Sequence, residues 1–177
     1  MKLSKNFSLQ ELIKSQTAIR MGLDNNPSQG QIENLRILCE RVLQPVRDHF
    51  NQSVTVTSGF RNLILNRKIG GSETSQHCSG MAADIEIFGV PTHEVSDWIK
   101  QNLMFDQLIL EFYTPGDAQS GWTHVSYNPD VNQNRKEYMA ALRIDGKTQY
   151  KPISGLSTDR YVKISSWEPR RAWFQPF

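Results

Sequence analysis

The sequence is poor in cysteine, with only Cys39 and Cys78, and it contains no long uncharged apolar run. Two cysteines are too few for the disulfide framework that stabilises many small secreted domains. A membrane-spanning helix needs about 20 consecutive apolar residues, so we expect no membrane insertion. Residues 1–6 also lack the apolar stretch of a secretory signal. We therefore expect synthesis in the cytoplasm, with any exit depending on something other than a signal peptide of its own.

The net charge of +2 is unevenly distributed along the 177 residues. Residues 131–177 contain nine Lys and Arg against four Asp and Glu, interleaved with Trp167, Trp173 and Phe174. Such a segment fits either an anionic partner, such as nucleic acid or cell wall, or a solvated basic surface whose aromatic rings pack on the domain. The scattered positions of the charges favour the basic surface, so we do not expect nucleic acid as a partner.

The hydrophobic pattern predicts an α+β fold. Ser8 and Glu11 have the spacing of a capping box, and a helix is predicted after Pro27-Ser28, with a kink at Pro45. Its buried stripe consists of Ile32, Leu35, Cys39, Val42 and Val46. The later strands follow one another closely enough to pair, which indicates N-terminal helices packed on a central antiparallel sheet. Strands are predicted at 54–57, 81–87, 107–112 and 122–127. A short helix that carries residues 63–65 and ends before Gly70-Gly71 is also predicted, with a polar loop at 72–80 and a helix at 92–102.

Two histidines and one aspartate are the strongest candidates for a metal site. His77 precedes Asp84 by seven residues, and strand alternation places His124 on the face that carries Trp122 and Ser126. Two imidazoles and a carboxylate are the ligand set of a catalytic zinc site with a fourth position open. The same spacing is also compatible with histidines that only satisfy structural hydrogen bonds.

The surrounding motif adds a resemblance to a known family. Ser-x-His-x-x-Gly-x-Ala-x-Asp-Ile at 75–85, followed by Trp-x-His at 122–124, resembles the signature of the zinc D-Ala-D-Ala carboxypeptidase and L-alanyl-D-glutamate endopeptidase family. Residues 7–12 and Thr-Ser-Gly-Phe-Arg at 57–61 resemble its phage-type branch, which includes endolysins. The similarity covers roughly residues 5–128. We therefore predict a zinc peptidase domain at 1–128 and a basic C-terminal extension at 129–177 that packs on the same domain.

The resemblance implies a Hedgehog/DD-peptidase-like fold and a site for Zn²⁺. It implies His77, Asp84 and His124 as metal ligands, Arg61 as the substrate-binding and oxyanion-stabilising arginine, and Ser75 as a substrate contact. The implied activity is cleavage of peptidoglycan stem or crosslink peptides by an enzyme that reaches the bacterial cell wall after release. The sequence leaves the oligomeric state open, and we expect a monomer. The resemblance leaves open whether the terminal D-Ala, the L-Ala to D-Glu bond or a crossbridge is cut.

The sequence departs from the family pattern at the catalytic carboxylate. Many members carry Glu or Asp three residues before the last histidine, where this chain has Gly121. Glu111 is the best substitute, because alternation turns Leu108, Leu110 and Phe112 to the opposite face. Asp117 is the reserve candidate. If neither carboxylate can serve, the alternative is a non-enzymatic, zinc-bearing structural or wall-binding module of a virion.

A second group of residues imitates a metal motif. His93-Glu94-x-x-Asp97 resembles His-Glu-x-x-His, but its last position is Asp. The segment follows Pro91 at a predicted helix start, where acidic residues interact favourably with the helix dipole. We expect no metal there.

Overall fold

The computed structural model of the protein describes residues 1–153. Trp167, Trp173 and Phe174 lie outside the described residues, and so do four of the nine Lys and Arg residues of the predicted basic surface. The described chain has the predicted α+β fold, with helices on one face of a six-stranded sheet. Among these residues, no helix has the length and apolar character that crossing a membrane requires.

The helices begin where the sequence places capping residues. The Ser8 hydroxyl accepts a hydrogen bond from the Glu11 backbone, and the Glu11 carboxylate accepts one from the Ser8 N–H, which completes the predicted capping box. Ser28 and Gln31 form a second capping box. The α-helices are α1 (Leu9–Ile13), α2 (Gln16–Met21), α3 (Gln29–Leu38), α4 (Gln44–Phe50), α5 (Leu63–Lys68) and α6 (Thr92–Asn102).

A π-turn, Cys39–Leu43, joins α3 to α4 and accommodates Pro45. Pro45 has no N–H to donate to the carbonyl four residues earlier, and the Gln44 N–H reaches back five residues to the Cys39 carbonyl. The helical segment is therefore continuous through the position where a kink was predicted. Most of the predicted stripe is fully buried, and Ile32 packs against its edge.

The sheet has the strand order β1-β2-β4-β3-β5-β6. Neighbouring strands pair antiparallel, as predicted, except β3 and β5, which are parallel. The strands are β1 (Val54–Ser58), β2 (Ala82–Ile87), β3 (Gln107–Glu111), β4 (Trp122–Ser126), β5 (Glu137–Ile144) and β6 (Lys147–Pro152).

The two faces of the sheet differ in chemistry. Leu108, Leu110 and Val125 belong to the hydrophobic core that the helices complete. The other face carries a row of directly paired residues on four neighbouring strands, Asp84, His124, Ile109 and Met139. Because paired residues in adjacent strands point to the same face, this row gathers side chains from distant parts of the chain.

Candidate metal centre and its cleft

His77 is positioned by a short 3₁₀ helix, Gln76–Ser79, inside the segment predicted to be a loop. The helix ends at Gly80, which has a φ of 72°. A Cβ at Gly80 would lie 2.5 Å from the Gln31 carbonyl oxygen, so only glycine allows this close approach to α3. The Gln31 side chain also donates to the Cys78 carbonyl, at 2.9 Å. These contacts fix the backbone on both sides of His77.

The imidazole of His77 is oriented by the backbone of Gly59, directly after β1. Its Nδ1 lies 2.7 Å from the Gly59 carbonyl oxygen, to which Nδ1–H donates. This tautomer leaves the Nε2 lone pair pointing toward Asp84 and His124. Metal-binding histidines commonly use such a backbone carbonyl to fix the ring.

The three predicted ligands converge. Asp84 Oδ1 lies 2.8 Å from His124 Nδ1 and 3.3 Å from His77 Nε2, and the two ring nitrogens are 3.2 Å apart. All three donor atoms lie within 4.8 Å of one another, and all three residues are buried. The sheet explains this convergence, because Asp84 and His124 are a directly paired couple on β2 and β4.

The protonation states also suit a cation. Burial lowers the pKa of His77, which keeps this imidazole neutral and able to donate a lone pair. Burial acts to raise the pKa of Asp84, but the adjacent His77 and His124 rings hold it well below its usual range. Neutral imidazole nitrogens and an ionised carboxylate oxygen are the ligands that Zn²⁺ takes in catalytic sites. The donor set therefore fits zinc.

Arg61 lies beside this cluster and is held by two hydrogen bonds. Its Nε donates to Ser58 Oγ at 2.7 Å, and its Nη2 donates to Asp84 Oδ2 at 2.6 Å. Asp84 thus directs one oxygen toward the histidines and the other toward the guanidinium. Nη2 also lies 3.4 Å from His77 Nε2, so two of the five guanidinium N–H groups remain for other partners.

Glu111 lies in the same cleft as the cluster. In β3, Gln107, Ile109 and Glu111 line the cleft, whereas Leu108 and Leu110 are buried in the core. Burial, reinforced by the charge of Asp84, raises the pKa of Glu111 to about 7. The cleft has a volume of about 700 Å³ and also contains Ser75, which is half-buried at the start of the 3₁₀ helix.

The backbone around Gly121 explains the departure from the family pattern. Gly121 has a φ of 66°, and a Cβ there would lie 2.0 Å from the Glu111 carbonyl oxygen. No carboxylate side chain fits at this position without moving β3. Asp117, the reserve candidate, is exposed in the turn after β3 and is not part of the cleft lining.

The expected orientation of Phe112 is wrong. Phe112 has a φ of 53°, which ends the alternation of β3 after Glu111. Its ring centroid lies 5.3 Å from that of Trp122, a residue that lines the cleft. The Phe112 side chain therefore does not continue the row of Leu108 and Leu110.

Sequence reasoning missed part of the cleft wall. Met139 on β5 and Tyr150 on β6 line the cleft, although no strand was predicted after residue 127. Asp145-Gly146 between these strands, with φ values of 50° and 74°, is a signal for a type I′ hairpin turn. That dipeptide could have predicted the hairpin. The domain boundary at residue 128 stays a prediction, and β5 and β6 extend the same sheet.

Comparison with known proteins gives one finding about the family. A model of the family described as Peptidase M15 matches residues 5–126, which is more than half of the chain. A search among curated proteins found no match. The matched range contains His77, Asp84, Glu111 and His124, whereas β5 and β6 lie beyond it.

Proposed function

Because the chain belongs to the peptidase M15 family and is therefore a metallopeptidase, we propose that it uses zinc to cleave the stem or crosslink peptides of peptidoglycan. The observation that carries the proposal is the convergence of His77, Asp84 and His124 within 4.8 Å in a cleft that also holds Glu111. The resemblance of residues 7–12 and 57–61 to the phage-type branch supports an endolysin-like role. An enzyme of this kind acts at the bacterial cell wall after release from the cell.

The zinc ligands are His77 Nε2, Asp84 Oδ1 and His124 Nδ1. When bound, zinc supplies a Lewis acid that polarises a carbonyl and activates water for attack. The chain's own contribution is to keep His77 neutral and oriented and Asp84 ionised.

Glu111 is the general base and acid. In its ionised form it accepts a proton from the attacking water, and in its protonated form it delivers that proton to the leaving amine. A pKa of about 7 suits both halves of this exchange near neutral pH. Burial is the largest cause of this shift, so the cleft walls that bury Glu111 are part of the mechanism.

Arg61 stabilises the negative charge that develops on the carbonyl oxygen. Its hydrogen bonds to Ser58 and Asp84 fix the guanidinium before the substrate arrives, so little reorganisation is needed during the reaction. Ser75, at the start of the 3₁₀ helix, contacts a polar group of the peptide.

Mass spectrometry of purified muropeptides tests the proposal. Incubation with the zinc-loaded protein should give peptide fragments whose masses identify the bond, and a chelator should prevent cleavage. The matched control is Glu111→Gln, which should retain zinc and leave the muropeptides intact. Intact muropeptides after incubation with the wild-type protein, with zinc bound, would contradict the proposal.

The second candidate is a zinc-bearing, non-enzymatic wall-binding module. It requires that no carboxylate serve the reaction, and the presence of Glu111 in the cleft favours the enzyme instead. Retention on peptidoglycan without cleavage, and unaffected by Glu111→Gln, would support the binding module.

A further inference from the structure

The wall of the cleft beside Glu111 comes from strands outside the family match. Trp122, Glu111, Ala141 and Tyr150 form a row of directly paired residues on β4, β3, β5 and β6. Paired residues share a face, so the Tyr150 side chain lies on the cleft side, two strands or about 10 Å from the Glu111 backbone. In this row, Ala141 on β5 is the residue between them.

Tyr150 combines access to solvent with proximity to charge. The residue is 53% exposed and lines the same cleft as Glu111 and the metal ligands. Partial burial, together with the carboxylates of Glu111 and Asp84, raises the pKa of the Tyr150 phenol. The hydroxyl therefore keeps its proton at neutral pH and can donate a hydrogen bond.

The neighbouring row adds two apolar side chains to this wall. Ile109 and Met139 are directly paired on β3 and β5, and both line the cleft. An acidic side chain placed against this wall would face the Glu111 carboxylate, whereas an uncharged one would contact the Met139 and Ile109 side chains. Met139 and Ile109 therefore favour an uncharged residue of a peptide at their part of the wall, whereas Arg135 also lines the cleft.

The buried carboxylate of Asp106 connects this wall to the segment that carries His77 by hydrogen bonds. Asp106 accepts hydrogen bonds from the Gln76 side chain at 2.8 Å and from Arg135 Nε and Nη2 at 2.7 and 2.9 Å. The Arg135 backbone N–H donates to the same carboxylate at 3.0 Å. Gln76 precedes His77, and Arg135 lies just before β5. The position of β5 is thus fixed relative to the metal-binding loop.

We propose that the β5–β6 wall is part of the substrate site and that Tyr150 is a substrate-binding residue. Its hydroxyl donates a hydrogen bond to a backbone carbonyl oxygen of the peptide, and Met139 and Ile109 contact an uncharged side chain of the same peptide. This inference rests on the proposed peptidase function and adds a specificity determinant to it.

Steady-state kinetics of Tyr150→Phe, on the muropeptide that the wild-type protein cleaves, tests this role. The variant keeps the ring and loses only the hydroxyl, so KM should rise by roughly three- to tenfold while kcat stays within about twofold. Tyr150→Ala should raise KM further, because the ring contact is lost as well. Zinc content and melting temperature should match those of the wild type.

Thr148→Val is the matched control. Thr148 is on the same strand and face, two residues before Tyr150, but it is exposed outside the cleft lining. This variant also loses a hydroxyl, and its KM should equal that of the wild type.

An unchanged KM for Tyr150→Phe would overturn the inference while the peptidase function stands. If the pH dependence of kcat shifts at the same time, the phenol's hydrogen bond is assigned to Glu111 instead of the substrate. Absence of wild-type cleavage is a failure of the proposed function itself. In that case calorimetry of muropeptide binding to the zinc-loaded protein decides, and equal affinity of the wild type and Tyr150→Phe overturns the inference.

Discussion

Two groups of histidine and acidic side chains lie on this fold, and they differ in how the chain brings them together. His93, Glu94 and Asp97 lie within five positions at the start of α6. His77, Asp84 and His124 are spread over 48 positions, yet their donor atoms lie within 4.8 Å of one another. Among residues 1–153, this distant set is the one group of three or more such residues that converges in this way.

In the α6 group, Asp97 and His93 contact tyrosine side chains. Asp97 Oδ1 accepts a hydrogen bond from the Tyr138 hydroxyl at 2.9 Å, and the His93 ring lies 5.2 Å from the Tyr113 ring. In the metal cluster, strand register turns Asp84 and His124 toward each other, and a backbone carbonyl orients His77. Short spacing in the sequence is therefore a poorer guide to a metal site here than pairing in the sheet.

Removing a ligand from the converging group should have the largest effect. Asp84→Ala leaves two imidazoles, which are too few for a tight zinc site, so bound zinc and muropeptide cleavage should both be lost. Elemental analysis of the purified, dialysed protein measures the stoichiometry. Unchanged zinc content would show that Asp84 is not a zinc ligand, and the contrast between this group and the α6 group would not hold.

Glu111→Gln should have the next largest effect. The variant keeps all three ligands but cannot transfer a proton, so kcat should fall by about a hundredfold or more with zinc content unchanged. Asp117→Asn is the matched control, because Asp117 is an exposed carboxylate in the turn that follows β3. Near wild-type turnover of Glu111→Gln would show that another group is the base.

Asp106→Asn should have an intermediate effect, which is a lower zinc affinity of the site formed by His77, Asp84 and His124. The substitution removes the charge that Arg135 and Gln76 share, which loosens the segment before His77. Zinc affinity, measured by competition with a chelator, should fall by up to about tenfold. Asp130→Asn, at an exposed 3₁₀ cap, should leave the affinity unchanged. Equal affinities for both variants would show that Asp106 does not support the ligands.

The pH dependence of kcat/KM should report the protonation of Glu111. Its raised pKa means that the carboxylate is protonated below about 7, so the base is lost as pH falls and kcat/KM should decline on the acid side. A bound dication would favour the ionised form, so the observed midpoint should lie between the ordinary pKa of glutamate and about 7. A profile without an acid limb between pH 4 and 8 would contradict this assignment.

The smallest effect is expected at the α6 group. His93→Gln should leave zinc stoichiometry and kcat/KM within about twofold of the wild type, because His93 contributes to packing at α6 and lies outside the cleft. Loss of zinc in this variant would show that short sequence spacing had identified a real site.

Local patterns predicted the elements that position the site. The Ser8 cap, the buried stripe of α3 and α4, and the strands around Asp84 and His124 follow from spacing and residue type. These features depend on neighbours a few residues apart, so the sequence shows them directly.

Nonlocal contacts could not be predicted in the same way. The order β2-β4-β3-β5-β6 decides that Glu111 and Tyr150 share a cleft, and no periodicity encodes that order. The positive φ of Phe112 and the contact between Gly121 and the Glu111 carbonyl also depend on how β3 and β4 are joined. The resemblance supplied the ligand set because a family pattern carries information about distant pairs.

Anomalous diffraction at the zinc edge, from crystals grown with zinc, tests the central claim most directly. The account predicts a peak about 2.0–2.2 Å from His77 Nε2, Asp84 Oδ1 and His124 Nδ1. A zinc peak at His93 and Asp97 instead, or no peak between the three predicted ligands, would contradict it.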